Sequence, residues 1–158
     1  ASLETSSTPS VLSLSRQGLP CLRTEHTDEN LSAKGGYVLA EAEAKRAVTL
    51  IASGSEVEIA MQACDQLKAE GISAAVVSMP CLDKFEEQSQ EYRDQVIHPD
   101  TPVVVVEAAI EQSWGKYIGR NGKFVGMSTF GASAPANELY EHFGITTQNV
   151  VNAAKQIV

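Results

Sequence analysis

Residues 47–80 constrain the fold of this chain more than any other stretch. They begin with a short apolar strand around Leu50 and a tight turn, residues 52–55. A helix follows, and its apolar side chains recur on one face at the helical period: Val57, Ala60, Met61, Cys64 and Leu67. Gly71 is a plausible helix end, and residues 74–79 resume a strand. This order predicts a βαβ unit with a right-handed crossover.

The same alternation of strands and helices continues to the end of the chain. From Gly35 onward we expect the order β, β, α, β, α, β, α, β, α, α. Residues 103–106 are four valines with no polar alternation, which is typical of a strand buried on both faces. The alternation favours an α/β protein with a mostly parallel sheet and helices on both faces.

Composition excludes several classes of function. The chain has 158 residues and a net charge of −8 with no basic stripe, so nucleic acid is a poor partner. No apolar run approaches the length that spans a membrane, and we expect no membrane contact. The three cysteines lack C-x-x-C spacing, which favours reduced thiols and a cytoplasmic protein.

The first 35 residues differ in character from the remainder. Residues 1–10 resemble a helix end followed by a Ser/Thr/Pro turn, and residues 11–14, VLSL, have the pattern of a strand. We expect this strand to lack a partner, so that residues 1–34 are mobile or pack in a non-native way. Residues 21–35 are polar and lack periodicity, so we interpret them as a linker at a domain boundary.

Two positions at the carboxyl ends of predicted strands are candidate binding residues. Gly54 and Ser55 lie between a strand and a helix, where backbone N–H groups can hold a phosphate, but Glu56 and Glu58 in the first turn would repel an anion. A structural helix cap is therefore favoured over a ligand site. Glu107 follows the valine strand, where ligands of open α/β sheets bind; the alternative is a carboxylate paired with a neighbouring loop or helix.

Other polar residues give weaker signals. Arg16 follows the strand predicted at residues 11–14, where a guanidinium can hold a phosphate or can simply be a surface charge. His26, His98 and His142 share no ligand spacing, so neither a zinc site nor a catalytic triad is expected.

Several blocks of sequence, in order, resemble the transketolase family. Residues 8–17 resemble the motif that closes the middle, pyrimidine-binding domain of that family. The later blocks are GGYV at 35–38, IASGSEV at 51–57, VSMP at 77–80, VEA at 106–108 and GMSTFGASAP at 126–135.

The resemblance implies a domain organisation and an activity. It implies the tail of the pyrimidine-binding domain at 1–20, a linker at 21–35, and the transketolase C-terminal domain at 36–158. The implied fold is a three-layer αβα arrangement around a mostly parallel five-stranded sheet with one antiparallel strand. The implied reaction moves a two-carbon ketol unit from a ketose phosphate to an aldose phosphate. It uses thiamine diphosphate and Mg²⁺ or Ca²⁺ in a homodimer, and Arg16 carries over as the sugar-phosphate ligand.

The chain also lacks motifs that this activity requires. The family's G-D-G and following Asn, which hold metal and diphosphate, are absent, and its catalytic glutamate and substrate histidines belong to other domains. We therefore expect a C-terminal fragment that supports the dimer and, alone, binds no cofactor and is inactive. The alternative is a small-molecule regulatory domain that uses Gly54, Ser55, Glu107 and the loop 128–135. A nucleotide-binding oxidoreductase domain is disfavoured by the missing glycines.

Overall fold

A computed structural model describes residues 7–158, so part of the helix end and turn predicted for residues 1–10 lies outside the described residues. The strands are β1 Tyr37–Ala40, β2 Val48–Ala52, β3 Ala74–Ser78, β4 Val103–Val106 and β5 Lys123–Val125. The α-helices are α1 Glu56–Ala69, α2 Leu82–Glu86, α3 Gln90–Ile97, α4 Gly115–Ile118, α5 Ala136–Phe143 and α6 Thr147–Lys155. Short 3₁₀ helices occupy Leu31–Lys34 and Glu111–Ser113. No helix within residues 7–158 is long and apolar enough to cross a bilayer.

One five-stranded sheet organises the domain, in the order β1-β3-β2-β4-β5. Strands β2, β3, β4 and β5 all run parallel to one another, and β1 pairs antiparallel with β3 at the edge of the sheet. The register sets Leu50 beside Val76 on one side and Val104 on the other. This confirms the mostly parallel sheet with one antiparallel strand.

Helices cover both faces of the sheet, which is why the central strands are apolar at every position. Side chains of β2 and β4 alternate between two cores, with Leu50 and Val104 in one and Ile51 and Val105 in the other. The first core is closed by α1 and α6, and the second by α2, α3 and α4. The crossovers from β2 to β3 and from β4 to β5 run in opposite directions along the sheet. Because both are right-handed, their helices lie on opposite faces.

Two consecutive glycines allow β1 to join the sheet. Gly35 has φ +82, and a Cβ there would lie 2.2 Å from the backbone nitrogen of Phe85. A Cβ on Gly36 would lie 2.4 Å from Sδ of Met79. Only glycine fits this close approach, so the pair fixes how the chain enters the edge of the sheet.

The last two helices have clear boundaries. The residue before α5 is Pro135, and no side chain caps that helix. The helix starts after Pro135, whose ψ of 143° lies outside the helical region. Gly144 ends α5 in the left-handed region, and Thr146 Oγ1 accepts from the Asn149 N–H to cap α6.

The strand predicted at residues 11–14 does not form. Residues 7–30 contain no helix or strand, and Val11 and Leu14 are 95% and 81% exposed. A strand needs a neighbour for its N–H and C=O groups, and no other described strand lies beside this segment. The segment meets the domain only further on, where Leu22 packs against the first core and Arg23 stacks over the Tyr37 ring.

Candidate functional site

The carboxyl ends of β2 and β4 meet at the point where the chain reverses its direction across the sheet. From β2 the chain crosses through α1 to β3, and from β4 it crosses through α4 to β5 on the opposite side. Such a switch point is where open α/β sheets bind ligands. Here it brings Ser53 against Glu107, and the Ser53 hydroxyl donates to Glu107 Oε2 at 2.8 Å.

A second carboxylate lies beside this pair, in the first turn of α1. Glu56 is 4% exposed, and its Oε1 accepts from the Tyr140 hydroxyl at 2.5 Å and from the Ser55 hydroxyl at 2.8 Å. Buried carboxylates are stable only when hydrogen-bonded, and two hydroxyl donors meet that need. The Tyr140 bond also ties α5 to α1.

The two carboxylates differ in their environment. Burial raises the pKa of Glu107 to about 7, and the nearby charge of Glu56 adds to the rise, while the Ser53 hydrogen bonds oppose it. Burial, with the Glu56 hydrogen bond, raises the pKa of Tyr140 to about 12, so its hydroxyl remains a donor. The site therefore holds a carboxyl group that takes up a proton near neutral pH.

The turn before α1 has no side-chain cap, and the two carboxylates beside it disfavour a bound phosphate. Ser55 makes no capping hydrogen bond, because its hydroxyl donates to Glu56 instead. Gly54 has φ +50, and no atom lies within 4 Å of a Cβ built there, so it supplies a turn conformation rather than a close approach. With Glu56 and Glu107 beside the turn, an anion would be repelled.

The structure thus brings together only part of the set of candidate residues. Ser55 and Glu107 belong to one cluster, and Gly54 shapes the turn between its members. Arg16 lies in the exposed N-terminal segment. Ser53 and Tyr140 were missed. Ser53 directly follows a strand and precedes a candidate glycine, which was an available signal, whereas nothing in the sequence pairs Tyr140 with Glu56.

An apolar cleft of about 230 Å³ adjoins the cluster. Its walls are the end of β4, the loop after β5 and helix α5, with Met127, Ala132, Leu139, Tyr140 and Phe143 among its lining residues. The Met127 N–H donates to the Ala109 carbonyl at 2.9 Å, which joins the loops that follow β4 and β5. Tyr140 lines the cleft and also bonds to Glu56.

The residues of the domain do not fit a diphosphate or a divalent metal. No group of three or more His, Cys, Asp or Glu side chains within residues 7–158 converges as a metal site needs. The turn between β2 and α1 lies beside two carboxylates, Glu56 and Glu107, which would repel a diphosphate. No chemical step through such a group is therefore assigned to these residues.

The comparisons with known proteins agree with this architecture. A family model described as Transketolase-like TK C-terminal domain matches residues 35–146. The transketolase of Sinorhizobium medicae is 55% identical over 152 residues, which are 96% of this chain and 22% of that protein. The chain thus spans less than a quarter of the length of that relative.

Solved structures give the same result. A Pichia stipitis transketolase in complex with sedoheptulose-7-phosphate is 35% identical with a TM-score of 0.73, over 80% of this chain and 18% of that one. A split-gene transketolase, described as an inactive β4 tetramer, is 25% identical with a TM-score of 0.68, over 90% of this chain and 47% of that one.

Proposed function

The chain belongs to the transketolase family through its C-terminal domain, and from this premise we propose that it is a non-catalytic part of a ketol-transferring enzyme. The parent enzyme moves a two-carbon ketol unit from a ketose phosphate to an aldose phosphate. The observation that carries the proposal is the family match over residues 35–146 together with high identity to a much longer transketolase. The chain contributes a packed domain that supports the rest of the enzyme and its dimer.

Thiamine diphosphate and Mg²⁺ or Ca²⁺ supply the carbanion chemistry of the parent enzyme and bind outside this chain. Support for this comes from Glu56 and Glu107, which lie where the carboxyl ends of β2 and β4 meet and disfavour a diphosphate there. It also comes from the split-gene transketolase described as an inactive β4 tetramer, of which 47% matches this chain. Calorimetry of the 158-residue chain with cofactor and Mg²⁺ tests this: we expect no heat of binding, and micromolar affinity would contradict it.

Arg16 is the one residue of the chain proposed to touch substrate. It lies in the S-R-Q sequence of residues 15–17, and its guanidinium can hold the phosphate of the sugar through a bidentate pair of hydrogen bonds. The Pichia stipitis relative is a sugar-phosphate complex.

A chimeric enzyme tests the whole proposal. This chain replaces the matching 22% of the Sinorhizobium medicae transketolase, and ketol transfer between sugar phosphates is measured. We expect the chimera to retain activity and Arg16→Ala to raise its KM at least about tenfold, the loss of a charged hydrogen bond. Arg120→Ala, an exposed arginine beyond α4, is the matched control and should leave KM unchanged. A chimera that folds but transfers no ketol unit would refute the proposal.

A second candidate is a regulatory domain that binds a small molecule at Gly54, Ser55 and Glu107. The position of these residues at the switch point favours it. Thermal shift of the chain against sugar phosphates and nucleotides separates the two: the structural role predicts no shift. Regulation predicts a shift that Arg16→Ala leaves intact.

A further inference from the structure

The turn between α4 and β5 contains the only asparagine of the chain that is followed by glycine, at Asn121 and Gly122. Asparagine is a chemically labile residue, because the backbone nitrogen of the next residue can attack its side chain, and glycine has no Cβ to hinder that approach. Asn121 is exposed, and within residues 7–158 its side-chain amide makes no hydrogen bond. Asn149, in contrast, donates to the Gly144 carbonyl at 2.8 Å and is followed by a β-branched valine. Asn121 therefore combines a free side chain with an unhindered neighbour.

The packing of the turn preserves this reactive pair. A Cβ on Gly122 would lie 2.4 Å from the carbonyl oxygen of Ile118 and 2.5 Å from that of Val103. Both are backbone atoms of neighbouring elements, so only glycine fits at this position. Asn121 is not constrained in the same way. Among the described non-glycine residues only His98 has a positive φ, so the backbone at Asn121 accepts other side chains.

The same turn also slows an attack by the Gly122 nitrogen. The Gly122 N–H donates to the Ile118 carbonyl at 3.2 Å, and the nitrogen must leave this hydrogen bond and lose its proton before it can react. The next element, β5, is a three-residue strand at the edge of the sheet. Short edge elements open at a low cost in free energy, so the opening of this turn sets the rate of the reaction.

We propose that Asn121 is a site of spontaneous deamidation and that its isoaspartyl product unpairs β5. The Gly122 nitrogen forms a bond to Cγ of Asn121 and gives up its proton, the bond from Cγ to the side-chain nitrogen breaks, and ammonia leaves. Water then opens the five-membered succinimide ring. Cleavage between the Gly122 nitrogen and Cγ gives aspartate, and cleavage between that nitrogen and the main-chain carbonyl carbon gives isoaspartate. The net reaction consumes water, releases ammonia and needs no oxidant.

The two products differ in their effect on the fold. Aspartate keeps the backbone unchanged, and its carboxylate lies in a stretch, residues 115–125, that contains three basic residues and no acidic residue. Isoaspartate adds a methylene group to the main chain directly before Gly122, where the packing leaves no space. The next residue, Lys123, pairs with β4, so the added atom disturbs the start of β5. The disturbance reaches the candidate site, because the Glu107 N–H donates to the Val125 carbonyl at 3.1 Å.

Peptide mass spectrometry of the 158-residue chain, incubated at a mildly alkaline pH, tests the inference. We expect Asn121 to deamidate at least about tenfold faster than Asn149, which is the internal control. Unfolding in guanidinium chloride should raise the rate at Asn121 at least about fivefold, because the turn then no longer holds the Gly122 nitrogen. Equal rates at the two asparagines would overturn the site. Equal rates in the folded and unfolded chain would overturn its control by the turn.

Two substitutions separate the chemistry from the packing. Asn121→Gln lengthens the side chain by a methylene group, so the five-membered ring cannot form. It should abolish the mass gain at this position and leave the unfolding of the fresh protein unchanged. Freshly prepared Asn121→Asp, which has the backbone of the other product, should also unfold like the native sequence. A lower midpoint for Asn121→Asp would assign the damage to the charge and overturn the role of the inserted methylene group.

Hydrogen exchange tests the effect on β5. The isoaspartyl form, separated from the incubated chain by ion exchange, should exchange the amide hydrogens of residues 123–125 at least about tenfold faster than the fresh chain. The amides of β2, at the centre of the sheet, should exchange at the same rate in both forms. Unchanged exchange at residues 123–125 would overturn the unpairing of β5.

Discussion

Replacing Glu107 by glutamine should stabilise the domain above neutral pH and leave it unchanged in acid. The folded protein holds the Glu107 proton to a pKa of about 7, raised by burial from the ordinary 4.5. The folded state therefore binds this proton more tightly than the unfolded chain does. Its contribution to stability is full below pH 4.5 and is lost as the pH rises to about 7.

The size of the effect follows from the shift. Each pKa unit corresponds to about 1.4 kcal/mol, which sets a ceiling of about 3 kcal/mol for a shift of this size. Glu107 is only partly buried, so solvent screens the charge, and we expect about 1–2 kcal/mol. Glutamine has a similar shape and keeps an oxygen that can accept from Ser53, but it cannot ionise.

Denaturant unfolding at a series of pH values from 4.5 to 8.5 measures this difference. The free energy of unfolding of Glu107→Gln should exceed that of the native sequence by about 1–2 kcal/mol at pH 8.5 and match it at pH 4.5. Glu25→Gln, an exposed carboxylate outside the helices and strands, is the control and should follow the native curve. A Glu107→Gln difference that is constant with pH, or that grows toward acid, would refute the reasoning.

Three further substitutions test the packing by the same unfolding measurement. Arg46→Ala should cost about 2 kcal/mol, because this buried guanidinium donates to the Val96 carbonyl at 2.9 Å, whereas the exposed Arg120→Ala should cost under about 0.5 kcal/mol. Gly35→Ala should cost about 3 kcal/mol, because the position combines a left-handed φ with a blocked Cβ site, and a cost below about 1 kcal/mol would contradict it. Tyr140→Phe should cost about 1–2 kcal/mol through the lost donor to Glu56, and an unchanged midpoint would show that the bond is not needed.

The sheet and its class were predictable because their signals are local. The valine run at residues 103–106 and the apolar face of α1 correspond to buried elements with the expected bounds. Residues 11–14 have the local pattern of a strand but do not form one, because a strand also needs a neighbour.

The candidate site was only half predictable, because it depends on contacts between distant parts of the chain. The carboxyl end of β4 located Glu107 near a switch point, but the Tyr140–Glu56 hydrogen bond joins residues 84 positions apart. The buried role of Arg46 was missed in the same way, since its position in a charged turn gives no sign that its guanidinium reaches α3. Polar pairs of this kind follow from the fold rather than from sequence spacing.

The electrostatics of the carboxyl edge disfavour a bound phosphate. A phosphate about 5 Å from one carboxylate is repelled by about 3 kcal/mol per pair of unit charges at an effective dielectric constant of about 20. Glu56 faces the turn with no basic neighbour among its hydrogen-bond partners in the described residues, so an anion there would need a cation of its own. The same arrangement disfavours a nucleotide at the switch point.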